Sequence, residues 1–337
     1  MPDLPLYLQA FAATAVASAL LLLAAARLLR ADLATVVALS GGLVVGCYVL
    51  QISPRWPPTS SLDRLLTIVL PAVGLIEAAG SFNRTRPWLK AFFRLLLAAS
   101  VGRILLHDSV YLNGMDWSAG QSIAALVVAT GLLLGLWALL AKLSQHSAGT
   151  SIPLALAMSI QAAGIAILLA GYIKGGAISF PLSAAICGVS LASTRSARAD
   201  AHDATIGIGI VALFGLLFVG RFFGKLETTP AMVILLAPLS CCISELSWLR
   251  GRSRWLVGSL RLLAVTLPLA IVLVLAVRDF KTKAEPFLQP RASLSSSGAY
   301  AILGAATLSP NRFLQPGSTI CDSDDSFARL LSQASWR

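Results

Sequence analysis

The chain has 337 residues, 57% of them hydrophobic and only 12% charged, with a formal net charge of +11. Soluble domains carry about 25% charged residues. The apolar residues here fall in long blocks, enough to cross roughly 30 Å of hydrocarbon at about 1.5 Å per residue. Composition therefore excludes an ordinary soluble domain and points to an all-α membrane protein whose partner is the lipid bilayer. Backbone amides in lipid must be bonded within their own segment, and the alternation of barrel strands is absent. The positive charge is not a nucleic-acid signal, because the basic residues sit singly or in small groups at the ends of apolar blocks.

Asp3 precedes the first apolar block, and Arg27 and Arg30 follow it. That charge order is expected of a retained first helix rather than a cleaved signal peptide. Ten transmembrane helices are predicted, over roughly 6–27, 33–52, 65–82, 88–106, 119–141, 152–173, 177–193, 205–223, 231–249 and 256–277. Within the second, "GGLVVG" at 41–46 has the small-residue spacing that lets helices pack closely, as does "GLLLG" at 131–135 in the fifth. The stretch "PRWPPTSSLDRLL" at 54–66 reads as an external turn. Its prolines stop the second span, Ser60 or Ser61 caps the third with Asp63 in the first turn, and Trp56 is an interface anchor.

The third and fourth spans carry the most informative residues. "RTRPWLKAFFRLLLAA" at 84–99 places Arg94 inside a hydrophobic run, and Glu77 lies inside the preceding one. An ionised side chain in mid-membrane costs about 2.5–3.5 kcal/mol on insertion scales, so a partner is expected. Residues equidistant from a hairpin turn lie at equal depth. Glu77 and Arg94 are centred on the basic turn at Thr85–Arg86, which predicts an intra-hairpin salt bridge, with Trp88 anchoring at the interface. "LHDSVYLNGMDW" at 106–117 sets His107, Asp108 and Ser109 side by side. Adjacent residues do not converge as a triad does, so it reads as a polar loop.

The same pattern recurs late in the chain. "RSRWLVGSLRLLAV" at 252–265 repeats Trp-Leu, four residues, then Arg-Leu-Leu. At an offset of 167, Arg94 meets Arg261, Trp88 meets Trp255 and Pro71 meets Pro238. One residue further, Glu77 meets Glu245, and Arg30–Asp32 meets the same tripeptide at Arg198–Asp200. Glu245 and Arg261 are centred on Ser253, so a second charge pair is expected, with Trp255 as its anchor. The offset aligns spans one to four with spans seven to ten. This predicts a parallel internal duplication of 4+2+4 helices: a four-helix unit over 1–110, a two-helix linker over 111–174, and a second four-helix unit over 175–277. The remainder, 278–337, is Ser-rich, with Pro286, Pro290, Pro310 and Pro316, and is expected to be a mostly disordered tail.

Lys and Arg near the span ends set orientation. Odd-numbered loops carry eleven and even-numbered loops six, which sends the odd loops to the cytoplasm and both termini outside. The Asn83–Thr85 sequon then falls in a cytoplasmic loop. Five cysteines and three histidines show no disulfide framework and no ligand spacing. No HExxH, P-loop or GxSxG is present, so neither a cofactor, a metal nor an enzymatic activity is expected. In its short-looped apolar helices the chain resembles multi-pass integral proteins of bacterial cell membranes, a resemblance that carries no activity and no residue role. The expected function is structural or accessory. The rival is a duplicated transporter of small solutes or lipids using the paired Glu and Arg.

Overall fold

The computed structural model describes residues 4–82, 87–112, 118–146, 150–194, 202–245 and 254–288. All regular structure among them is helical. In chain order the helices are α1 (Leu4–Leu28), α2 (Ala31–Val49), α3 (Ser61–Arg64), α4 (Leu70–Phe82), α5 (Pro87–Leu105), α6 (Ala119–His146), α7 (Ser151–Leu169), α8 (Ile173–Ala177), α9 (Ser179–Ser193), α10 (His202–Phe223), α11 (Thr228–Leu236) and α12 (Arg254–Leu288). A π-helical turn, Leu65–Val69, joins α3 to α4, and a 3₁₀ segment, Ala237–Glu245, continues α11.

Among the described residues, seven helices are long and apolar enough to cross a membrane: α1, α2, α6, α7, α8 with α9 (Ile173–Ser193), α10 and α12. The other three predicted spans are helical but differ in character. The third is interrupted by the π turn just before Pro71, whose ring and missing N–H disturb regular α geometry. The fourth, α5, carries Lys90, Arg94 and Arg103. The ninth changes from α to 3₁₀ winding at Ala237, beside Pro238.

Local chemistry sets several of these ends. Ser60 caps α3 in a reciprocal capping box with Asp63, satisfying two backbone N–H groups that the helix leaves open. Pro87 opens α5, where its fixed φ suits the first helical position. The helix α12 runs to Leu288 instead of ending near Val277, so the tail as predicted begins inside a helix. Residues from 289 onward lie outside the described residues.

The apolar stretches of α7, α9 and α10 are 67–83% buried, whereas those of α1, α6 and α12 are each 22% buried. The first three form the centre, and the others turn Leu and Val side chains outward, as lipid-facing helices do. Met1–Ala284 is one compact unit. Within it, α1 packs along α9 as well as α2. Gly42 and Gly46 of α2 make that corner possible. A Cβ at Gly42 would overlap Ser18, and one at Gly46 would overlap Thr14 and Pro181, so close approach demands glycine there. At the second small-residue pair, Gly131 and Gly135, no described atom lies within 4 Å of where a Cβ would stand, so among the described residues that face of α6 is open.

Candidate functional site

Three helices bring charge together at the end of the bundle where α4 ends and α5 and α10 begin. From α5, Arg94 Nε and Nη2 donate to Glu77 Oε1 and Oε2 of α4, each at 2.9 Å. This two-pronged geometry is the strong form of an Arg–carboxylate pair. Lys90, one turn earlier on the same face of α5, lies 2.8 Å from Glu77 Oε2. The hairpin count in the sequence pairs Glu77 with Arg94 alone and gives Lys90 no partner. It also missed a fourth member. Asp203, in the first turn of α10, accepts from Lys90 Nζ at 2.6 Å and from Arg94 Nη2 at 3.2 Å.

The cluster has two carboxylates and two cations, so it is neutral as a whole. It also has an inner and an outer end: the Glu77 side chain is fully buried, while that of Asp203 is 43% exposed. Asp203 gains from the positive end of the α10 dipole. Lys90 stands at the same end of α5, where a cation is disfavoured, and its two carboxylate partners offset that. On α10 the room for Glu77 comes from Gly207, one turn after Asp203. A Cβ at Gly207 would lie 2.5 Å from Glu77 Oε1.

Beside the cluster is a cavity of about 360 Å³ walled by Lys90 and Arg94 of α5, Asp203 of α10, and Leu134, Trp137 and Gln145 of α6. The Arg94 guanidinium lies 5.0 Å from the Trp137 ring centre, within cation–π range. Trp137 is 2% exposed, and its indole N–H has no hydrogen-bond partner among the described residues. The wall therefore brings two cations and a carboxylate together within one small volume. Among the described residues no group of His, Cys, Asp and Glu is arranged to hold a metal.

The second predicted pair cannot be compared with the first, because the Glu245 side chain lies outside the described residues. Its partner by sequence, Arg261 of α12, is buried and donates from Nη1 to Ser151 Oγ at the start of α7, at 3.1 Å. Of the interface anchors, Trp56 and Trp88 are exposed, at 77% and 63%. The Trp255 side chain lies outside the described residues. At the opposite end of the bundle the His107–Asp108 loop is held by Arg64, which pairs with Asp108 at 3.2 Å and donates to the His107 carbonyl. Asp108 is thus engaged by both Arg64 and His107.

No known protein family matches the chain, and no curated protein is significantly similar to it.

Proposed function

We propose that the chain is a non-enzymatic integral protein of a bacterial cytoplasmic (inner) membrane, crossing it ten times, with a structural or accessory role. In this reading Glu77, Lys90, Arg94 and Asp203 are a clip that fixes α4, α5 and α10 in register. The observation that carries it is the complete burial of Glu77 between two cations, one of them held bidentately. The same clip explains how α5 resides in a membrane. Unpaired, Lys90 and Arg94 would each oppose insertion by up to about 2.5–3.5 kcal/mol, and in the cluster both are neutralised.

The internal duplication belongs to this proposal and gains one support beyond the sequence matches. Pro71 and Pro238, which share the offset, both sit where the helix departs from α winding, a π turn in one case and a 3₁₀ segment in the other.

A double-mutant cycle tests the clip. Breaking a buried ion pair costs about 3–5 kcal/mol, whereas replacing both partners with apolar residues can be near neutral. Glu77→Leu and Arg94→Leu alone should each lower the melting temperature in detergent. The double variant leaves Lys90 with Asp203, still balanced, and should be more stable than either single change. Simple addition of the two losses refutes the clip.

The cavity favours a second reading, binding or transport of a small dipolar solute. Its acidic part would meet Arg94 and the Trp137 N–H, and its basic part Asp203. A screen of such solutes on the purified protein should then raise the melting temperature. The folded Glu77→Leu with Arg94→Leu variant should lose that response.

A further inference from the structure

A larger cleft lies elsewhere, at the opposite end of the bundle. Its volume is about 610 Å³, within the ~300–1,000 Å³ range of ligand cavities. The walls are apolar: Ala166 and Leu169 of α7, Val233 of α11, and Pro268, Val272 and Leu275 of α12. Three exposed charged residues also line it: Lys225, Glu227 and Asp279. Lys225 and Glu227 belong to the connection between α10 and α11, and Asp279 follows the apolar stretch of α12. The charges therefore share one level, and the apolar wall runs inward from them.

The depth of that wall is informative. From Asp279 to Pro268 the helix rises about 16 Å at about 1.5 Å per residue. That is close to half of a roughly 30 Å hydrocarbon core, the depth of one leaflet. The cleft exists because α12 stands off from α7 and α11, and it is only partly enclosed. In lipid such a cleft is filled by whatever matches both its apolar length and its mouth. The mouth presents both signs, two carboxylates and one ammonium, which disfavours a purely anionic head group.

We propose that this cleft is a binding site for a zwitterionic aminophospholipid of the outer-facing leaflet. An acyl chain lies along Val233, Pro268 and Val272. The lipid ammonium meets Glu227 and Asp279, and its phosphate meets Lys225. The site is independent of whether the charge cluster is a clip or a solute site; that it opens to the outer-facing leaflet rests on the orientation of the proposed function.

Native mass spectrometry of the delipidated full chain tests it, with phosphatidylethanolamine and phosphatidylglycerol of identical acyl chains. The ethanolamine lipid should bind more tightly, by roughly five-fold, the upper end of what an exposed ion pair contributes. Val233→Trp fills the cleft and should abolish that preferential binding. The exposed double change Glu227→Lys with Asp279→Lys leaves the apolar wall intact and should reverse the preference toward the glycerol lipid. This second variant decides the matter if Val233→Trp does not fold. Equal binding of the two lipids, the pattern of annular lipid only, overturns the proposal. So does a preference untouched by the charge reversal.

Discussion

Gly207 is where the buried carboxylate of Glu77 meets a neighbouring backbone, and a single methyl group there is informative. The Cβ of Gly207→Ala would stand 2.5 Å from Glu77 Oε1, so either the carboxylate or α10 must move. Overpacking of this kind typically costs about 1–3 kcal/mol. The variant should melt lower, and the loss should largely vanish in a Glu77→Ala background, where the obstruction is gone. A loss of the same size in both backgrounds, read from thermal stability, would mean that Glu77 does not press on α10. At this scale part of the site was legible in the sequence. Counting outward from a hairpin turn sets Glu77 level with Arg94, because antiparallel helices share a rise per residue. Lys90 had a signal that went unused, its position one turn before Arg94 on the same face of α5. Asp203 had only a weak one. Nothing local in the sequence says that the first turn of α10 comes to lie against the α4–α5 hairpin.

The element that hydropathy treats worst is α5. Lys90, Arg94 and Arg103 within 19 residues make it too charged to count as a span by composition. Yet Lys90 and Arg94 are charged only as half of ion pairs with α4 and α10. Charge that is neutralised by a tertiary contact looks expensive until the partner is known, so sequence undervalues such a helix. In α6 the small-residue spacing says that a face can accept a close neighbour, not that a neighbour exists, and among the described residues none stands against Gly131 and Gly135. The α4–α5 hairpin yields its own prediction. If both helices cross, a cysteine placed at Thr85 lies on the cytoplasmic side. If the hairpin only dips into the membrane and returns, the same cysteine stays within the membrane and is shielded from the reagent on both sides. Labelling with an impermeant maleimide in intact and permeabilised cells separates the two, and protection in both rejects the crossing.

For the molecule as a whole, the class and the run of helices were legible, because lipid imposes one backbone solution and apolar blocks reveal it. The span count was less so, and it turns on two elements, of which one also sets sidedness. The α4–α5 hairpin contributes two crossings or none, which leaves the sidedness of the ends unchanged. The segment Thr228–Glu245 contributes one or none, and so alone decides whether the termini face the same side. Its length is adequate only because of its winding. Nine α residues at about 1.5 Å and nine 3₁₀ residues at about 2.0 Å give roughly 31 Å, against a core of roughly 30 Å. The cleft gives a second argument. Lys225 and Glu227, just before this segment, line the same cavity as Asp279, late in α12. The start of α12 is therefore at the far end from Lys225, and the segment that links the two must run from one end of the bundle to the other. Tags at the two termini should accordingly be accessible on the same side, the outside, and added protease should remove the tail beyond Leu288 from intact cells while sparing the spans. Accessibility of the C-terminal tag only after permeabilisation would remove a crossing. It would also put Arg278, Lys281 and Lys283 on the cytoplasmic side, where the positive-inside tendency favours them. The prediction of an external tail is thus made against that local charge preference. It rests on the length of α11 with its 3₁₀ continuation and on the one cavity that α11 and α12 share.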